Sequence, residues 1–157
     1  MNELKTEHKV LMIGIGNSGR SDDALGWKFV DQFTSYVDLF DIEQRYQLQI
    51  EDALLLTEYK KVIFIDASHK TYKDGFSFYK CIPTRTEAFT THKLEPETVL
   101  WLANDLFNQS PEVYVMAITG ITWELHQGMS DVAQQNFEKA VAHFKKWLVN
   151  TACPVPV

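Results

Sequence analysis

Apolar and polar positions along this chain follow two periods, and the switches between them mark out its elements. Residues 10–13 form a continuous apolar run that breaks into Gly14-Ile15-Gly16-Asn17, the composition of a buried parallel strand entering a tight turn. The period then lengthens. Leu25, Phe29, Val30, Phe33 and Val37 recur at i, i+4, i+5, i+8 and i+12, which predicts a helix with one apolar face. Ser21 stands where an N-cap is expected. Asp22 and Asp23 fall in the first turn, where carboxylates favour the positive end of the helix dipole.

The alternation continues downstream. Residues 46–51 (Tyr-Gln-Leu-Gln-Ile-Glu) alternate as a half-buried strand does, and Asp52 is placed to cap a short helix over 53–59. Residues 62–66 are β-branched and aromatic and end in Asp66, which predicts a central parallel strand delivering that acid to its C-terminal end. Residues 76–81 read as a strand after an exposed turn at Lys73-Asp74-Gly75. Residues 82–94 are irregular and polar. Pro96 opens a helix whose apolar face is Val99, Leu102, Ala103 and Leu106. A strand over 112–118 ends at Thr119-Gly120, and Ser130 caps a last helix with Ala133, Phe137, Ala140, Val141, Phe144 and Leu148 facing inward.

Strands and helices alternate, so the expected fold is α/β, a three-layer α/β/α arrangement in a single domain over 1–157. Residues 1–8 and 151–157 are expected to be loose termini. The strand at 76–81 follows Asp66 with no helix between, which predicts a mixed sheet.

Composition narrows the function classes. The net charge of −6 and the lack of any Lys/Arg run argue against nucleic acid as a partner. No apolar stretch approaches the roughly 20 residues needed to span a bilayer, and residues 1–9 lack a signal-peptide core. Cys81 and Cys153 are too few and too distant to suggest a disulfide framework. A cytoplasmic, reduced protein is the expectation.

Gly14-x-Gly16-x-x-Gly19 has the spacing of a dinucleotide-binding turn. Asp22 and Asp23 then stand where a pyrophosphate would sit, and two anions there suit a cation instead. Asp23, Asp66 and His92 all fall just past a strand or in a loop reaching the same sheet edge. Two carboxylates and an imidazole can hold nickel, zinc or another divalent ion. Each also has a plainer reading, as a helix cap, a strand-end acid and a solvated loop histidine. His69, three residues past Asp66, has two readings, a partner that orients a site ligand from behind or a plain loop residue, and the second is favoured; His143 reads as solvent-facing on the last helix. Neither cysteine has a base or partner motif. No G-x-S-x-G elbow or H-E-x-x-H helix is present.

In order, these segments resemble the maturation endopeptidases of nickel–iron hydrogenases. Gly14, Gly16, Asn17, Asp22, Asp23, Ala24 and Gly26 match that family's G-x-G-N turn and the acidic segment beginning its first helix. Asp66 matches its I-x-D strand, and His92, in T-T-H-K-L, matches a loop histidine. Ile118-Thr119-Gly120-Ile121 and Glu124…Gly128-Met129-Ser130 resemble its G-I-x-P…E…G-x-x-L-S stretch. The resemblance spans roughly residues 10–145. It departs at 46–51, where many members carry a Gly-Gly-Thr loop, and at Thr122, which replaces a proline.

The resemblance implies a twisted five-stranded sheet between helices, of the phosphorylase/hydrolase-like kind. It implies an endopeptidase that removes the C-terminal extension of a nickel–iron hydrogenase large-subunit precursor once nickel is in place. That nickel, carried by the substrate, would be recognised by Asp23, Asp66 and His92. Asp23 or Asp66 would be the general base, and no organic cofactor is implied. The rival expectations are a non-proteolytic binding module for a metal-loaded partner and, resting on the glycine turn alone, a nicotinamide-dependent oxidoreductase.

Overall fold

In the computed structural model, which describes residues 9–86 and 94–151, β1 (Val10–Ile15) is buried along its whole length. It is flanked on both sides. β2 (Phe40–Arg45) pairs with one edge and β3 (Lys61–Ser68) with the other, both parallel to it. β5 (Glu112–Thr119) continues the parallel set beside β3, and β4 (Phe76–Lys80) closes the far edge antiparallel to β5. The order β2-β1-β3-β5-β4 is therefore a mixed five-stranded sheet. The absence of a crossover helix before β4 accounts for its direction, because a short loop can only return the chain antiparallel.

Helices cover both faces, giving the expected α/β/α layers. On one face Met12, Ile63, Ile65, Met116 and Ile118 meet α1 (Leu25–Asp31) and α4 (Asp131–Asn150) through Phe29, Phe137 and Phe144. On the other, Leu11, Ile13, Val62, Phe64 and Val115 meet α2 (Glu51–Leu56) and α3 (Pro96–Phe107) through Leu56, Val99 and Leu100. The period-2 alternation of the strands thus feeds two separate cores. All six residues expected on the inner face of the last helix are buried.

Four expectations shift. Residues 46–51 are not a strand; β2 lies just upstream, over a stretch whose alternation is carried only by Phe40 and Ile42. The register decides it: Ile15 pairs with Arg45, so a chain continuing past Arg45 has run beyond β1 and has no ladder to join. The short helix is Glu51–Leu56 rather than 53–59, and Asp52 acts from inside its first turn, its Oδ2 accepting from the Gln49 N–H at 2.9 Å. The first helix stops at Asp31, leaving Val37 at 62 % exposure beyond it. Leu106, in the last turn of α3, is also exposed.

One close approach fixes α1 to the sheet. A methyl at Gly26 would lie 2.2 Å from the Ile15 carbonyl oxygen and 2.6 Å from that of Ile65. Only a hydrogen fits between the helix and the two strand ends. Gly26→Ala should therefore destabilise the fold by about 3 kcal/mol, the upper part of the usual overpacking range. Urea unfolding followed by circular dichroism measures this, and an unchanged midpoint would rule out the contact.

Candidate functional site

The carboxyl ends of β1, β3 and β5 open onto one edge, where open α/β sheets bind ligands. After β1 the chain turns through Gly16, whose φ of 151° lies in a region that favours glycine, and enters a 3₁₀ turn, Ser21–Ala24. A side chain at Gly16 would lie 2.0 Å from the Asp23 carbonyl oxygen. The turn folds back directly on itself.

Asp22, at 0 % exposure, ties this turn to the segment that follows β5. Its Oδ2 accepts from the N–H of Ile121 at 2.8 Å, the N–H of Thr122 at 3.0 Å and the Ser130 hydroxyl at 2.8 Å. Its Oδ1 accepts from the Ser130 N–H at 2.7 Å. The Ser130 oxygen in turn accepts from the Ala133 N–H, capping α4. The Asp22 charge therefore serves the N-terminus of the last helix rather than of its own. Burial alone would push this carboxyl up, but the donors of Ile121, Ser130 and Thr122 outweigh it and hold it below the ordinary aspartate value.

Backbone bonds complete the join. Ser21 and Asp22 donate to the carbonyls of His126 and Thr122, and His126 donates to that of Gly19. Ser21 is consequently no N-cap. Its φ is 49°, its hydroxyl donates to the Glu124 carbonyl at 2.7 Å, and the Asp23 N–H that a cap would satisfy already donates to the Arg20 carbonyl. Gly120 is wedged in the same join. A methyl there would sit 2.8 Å from the Asp22 Cβ and 3.1 Å from the Trp123 ring. The exposed His69 imidazole lies against that ring at a tilt of 31°, the two centroids 3.9 Å apart.

Asp23 and Asp66 come to this one edge. Asp23 lies one helical turn before Gly26, which rests on the Ile15 and Ile65 carbonyls, and Asp66 follows Ile65 directly. Gly14 pairs with Ile65, so Asp66 stands level with Ile15, one residue short of the Gly16 turn. β3 runs on to Ser68, so Asp66 is two residues inside the strand end rather than at it. Both residues are half-buried, and the Asp66 Oδ1 atom is wholly shielded. His92 lies outside the described residues, and Leu94, the next described residue after it, bridges Leu48 just past β2. Among the described residues no three His, Cys, Asp or Glu side chains converge as a metal site.

The remaining candidates sort simply. His143 is exposed on α4 beside Phe76 and Phe78. Glu51, the one residue that could have served a nicotinamide cofactor's ribose, begins α2 instead of ending a strand. Sequence reasoning missed the structural part of Asp22, the Gly120 wedge and the His69–Trp123 ring contact. The adjacent acids at 22 and 23 were the one visible signal, since only one of them can face a ligand when the other is buried.

Solved structures share this architecture. A hydrogenase maturating endopeptidase from E. coli superimposes with a TM-score of 0.67 at 19% identity, over 92% of this chain and 94% of that one. A NiFe hydrogenase maturation protease from Thermococcus kodakarensis gives 0.66 at 21% identity, over 91% and 94%. A hydrogenase 2 maturation peptidase from a Thaumarchaeota archaeon gives 0.63 at 20%, over 93% and 99%. At these identities the likeness is one of fold. No family model and no curated protein matches the chain.

Because the folded-state pKa of Asp22 lies below that of an unfolded aspartate, its stabilisation is present at neutral pH and is lost as pH falls through the folded value. Asp22→Asn should cost about 3 kcal/mol at pH 7, as a buried charge-assisted acceptor is replaced by an amide that brings its own donors. The gap between wild type and variant should narrow below about pH 4. Denaturant titrations at pH 7 and in acid measure both; a gap independent of pH would mean the carboxylate is not charged in the fold.

Proposed function

We propose that this chain is an endopeptidase that trims the C-terminal extension from a nickel–iron hydrogenase large-subunit precursor after nickel insertion, working in the cytoplasm. The observation supporting this reading is the meeting of Asp23 and Asp66 at one edge of adjacent parallel strands. It occurs in a fold whose solved counterparts carry hydrogenase maturation protease names.

In this reading the ion arrives with the substrate, and Asp23, Asp66 and His92 recognise it. Two carboxylates and an imidazole form a borderline-hard donor set that suits nickel. Once bound there, nickel supplies positive charge against which a carbonyl or a water is polarised. The chain's own contribution is to orient the precursor's C-terminal segment across the edge and to accept a proton from water at the Asp23 or Asp66 carboxylate. A cysteine route finds no support at Cys81. Burial, reinforced by the Glu97 charge, pushes that thiol up to about 12, far from a reactive thiolate.

Incubation with nickel-loaded and metal-free precursor, followed by intact-mass measurement, tests the reading. A peptide lost only from the loaded form supports it. Binding without shortening would instead make the chain a non-proteolytic module for a metal-loaded partner. Asp23→Asn and Asp66→Asn should each slow cleavage by about 10²-fold or more, the scale of a lost acid–base group. Full activity in either variant would remove that residue from the site.

A further inference from the structure

We infer that Asn17 is a catalytic residue of this edge, donating through Nδ2 to the oxyanion that forms when a peptide carbonyl is attacked; this rests on the endopeptidase reading. Asn17 is held at three points. Its N–H donates to the Asp23 carbonyl at 3.0 Å, its carbonyl accepts from the Arg20 N–H at 3.1 Å, and its Oδ1 accepts from the Gly19 N–H at 2.9 Å. The last bond fixes the orientation of the amide, because only the oxygen end can face an N–H.

The fold therefore uses the oxygen of this side chain and leaves the nitrogen over. Among the described residues the Nδ2 hydrogens make no hydrogen bond, and the residue is half-buried at the turn that ends β1. An aspartate or serine would satisfy Gly19 equally well, so the turn itself does not require an amide. The Asp23 carboxylate is close by: a Cβ on Gly16, the residue before Asn17, would lie 3.8 Å from its Oδ1. One short turn thus carries both an acceptor for a proton or a cation and an amide donor pair of fixed orientation. Those are the two complementary groups that hydrolysis of an amide needs.

The step balances without an added reagent. The water oxygen bonds to the scissile carbonyl carbon, and the π pair moves onto the carbonyl oxygen. That pair returns as the C–N bond breaks, and the leaving nitrogen takes up a proton from the water. One water is consumed; its second proton passes from the new carboxyl group to the amine, so a carboxylate and an ammonium are released. Asn17 transfers no proton. Its N–H groups bind more strongly as negative charge grows on the oxygen, so they act on kcat rather than on ground-state binding.

Asn17→Asp and Asn17→Ser test this, since both keep an acceptor for the Gly19 N–H and both remove the amide donors. With thermal melts close to wild type, each should lower kcat on nickel-loaded precursor by about 10²–10³-fold, with KM within about threefold. A variant that cuts at the wild-type kcat, or a loss confined to KM, overturns the assignment. So does a loss in the charged Asn17→Asp variant that the neutral Asn17→Ser variant does not share. Wild-type protein that cuts no precursor fails differently, overturning the endopeptidase reading and the role of Asn17 together.

Discussion

A single buried carboxylate joins two parts of this chain that the sheet alone would leave separate. Asp22 takes four hydrogen bonds from Ile121, Thr122 and Ser130, and no water reaches it. Buried charge is costly unless such donors surround it, so the arrangement stabilises only when complete. Its completion has two local results. It fixes the 3₁₀ turn that carries Asp23, and it caps α4 through the Ser130 hydroxyl.

Glycine positions set the same edge from the opposite direction, by excluding side chains. Gly26 lets α1 rest on the carbonyls of Ile15 and Ile65, Gly16 lets the turn close over Asp23, and Gly120 admits Asp22 beside Trp123. The segments that carry Asp23 and Asp66 are held against each other by backbone contacts that leave no room for a methyl. A site supported this way has little freedom to drift, which is what preorganised chemistry demands.

How much of this was legible in the sequence depends on how local each cause is. β1, β3, β5 and the last helix were readable because an apolar period reports burial within a few residues. Asp23 and Asp66 were readable as candidates because an acid in a helix's first turn and an acid closing an apolar run are both local patterns. Residues 46–51 were misread because alternation there is at least as good as in 40–45, and the choice lies in where β1 stops. Ser21 was misread as a cap because its competing partners, Glu124 and His126, lie about a hundred positions away. The same distance hid the role of Asp22. Local chemistry identified an acidic helix start, whereas only tertiary structure could say which acid turns inward.

The long sequence span of the Asp22 contacts also bears on synthesis. Its partners lie 99 to 108 residues further along the chain, so closing this loop is slow and entropically expensive. A nascent chain that has not yet exposed Ser130 to the growing fold holds Asp22 as an unsatisfied carboxylate, and the turn bearing Asp23 lacks its brace. The edge where chemistry is proposed therefore depends on residues that are synthesised only after every strand of the sheet. Assembly order itself keeps an unfinished chain from presenting a finished site.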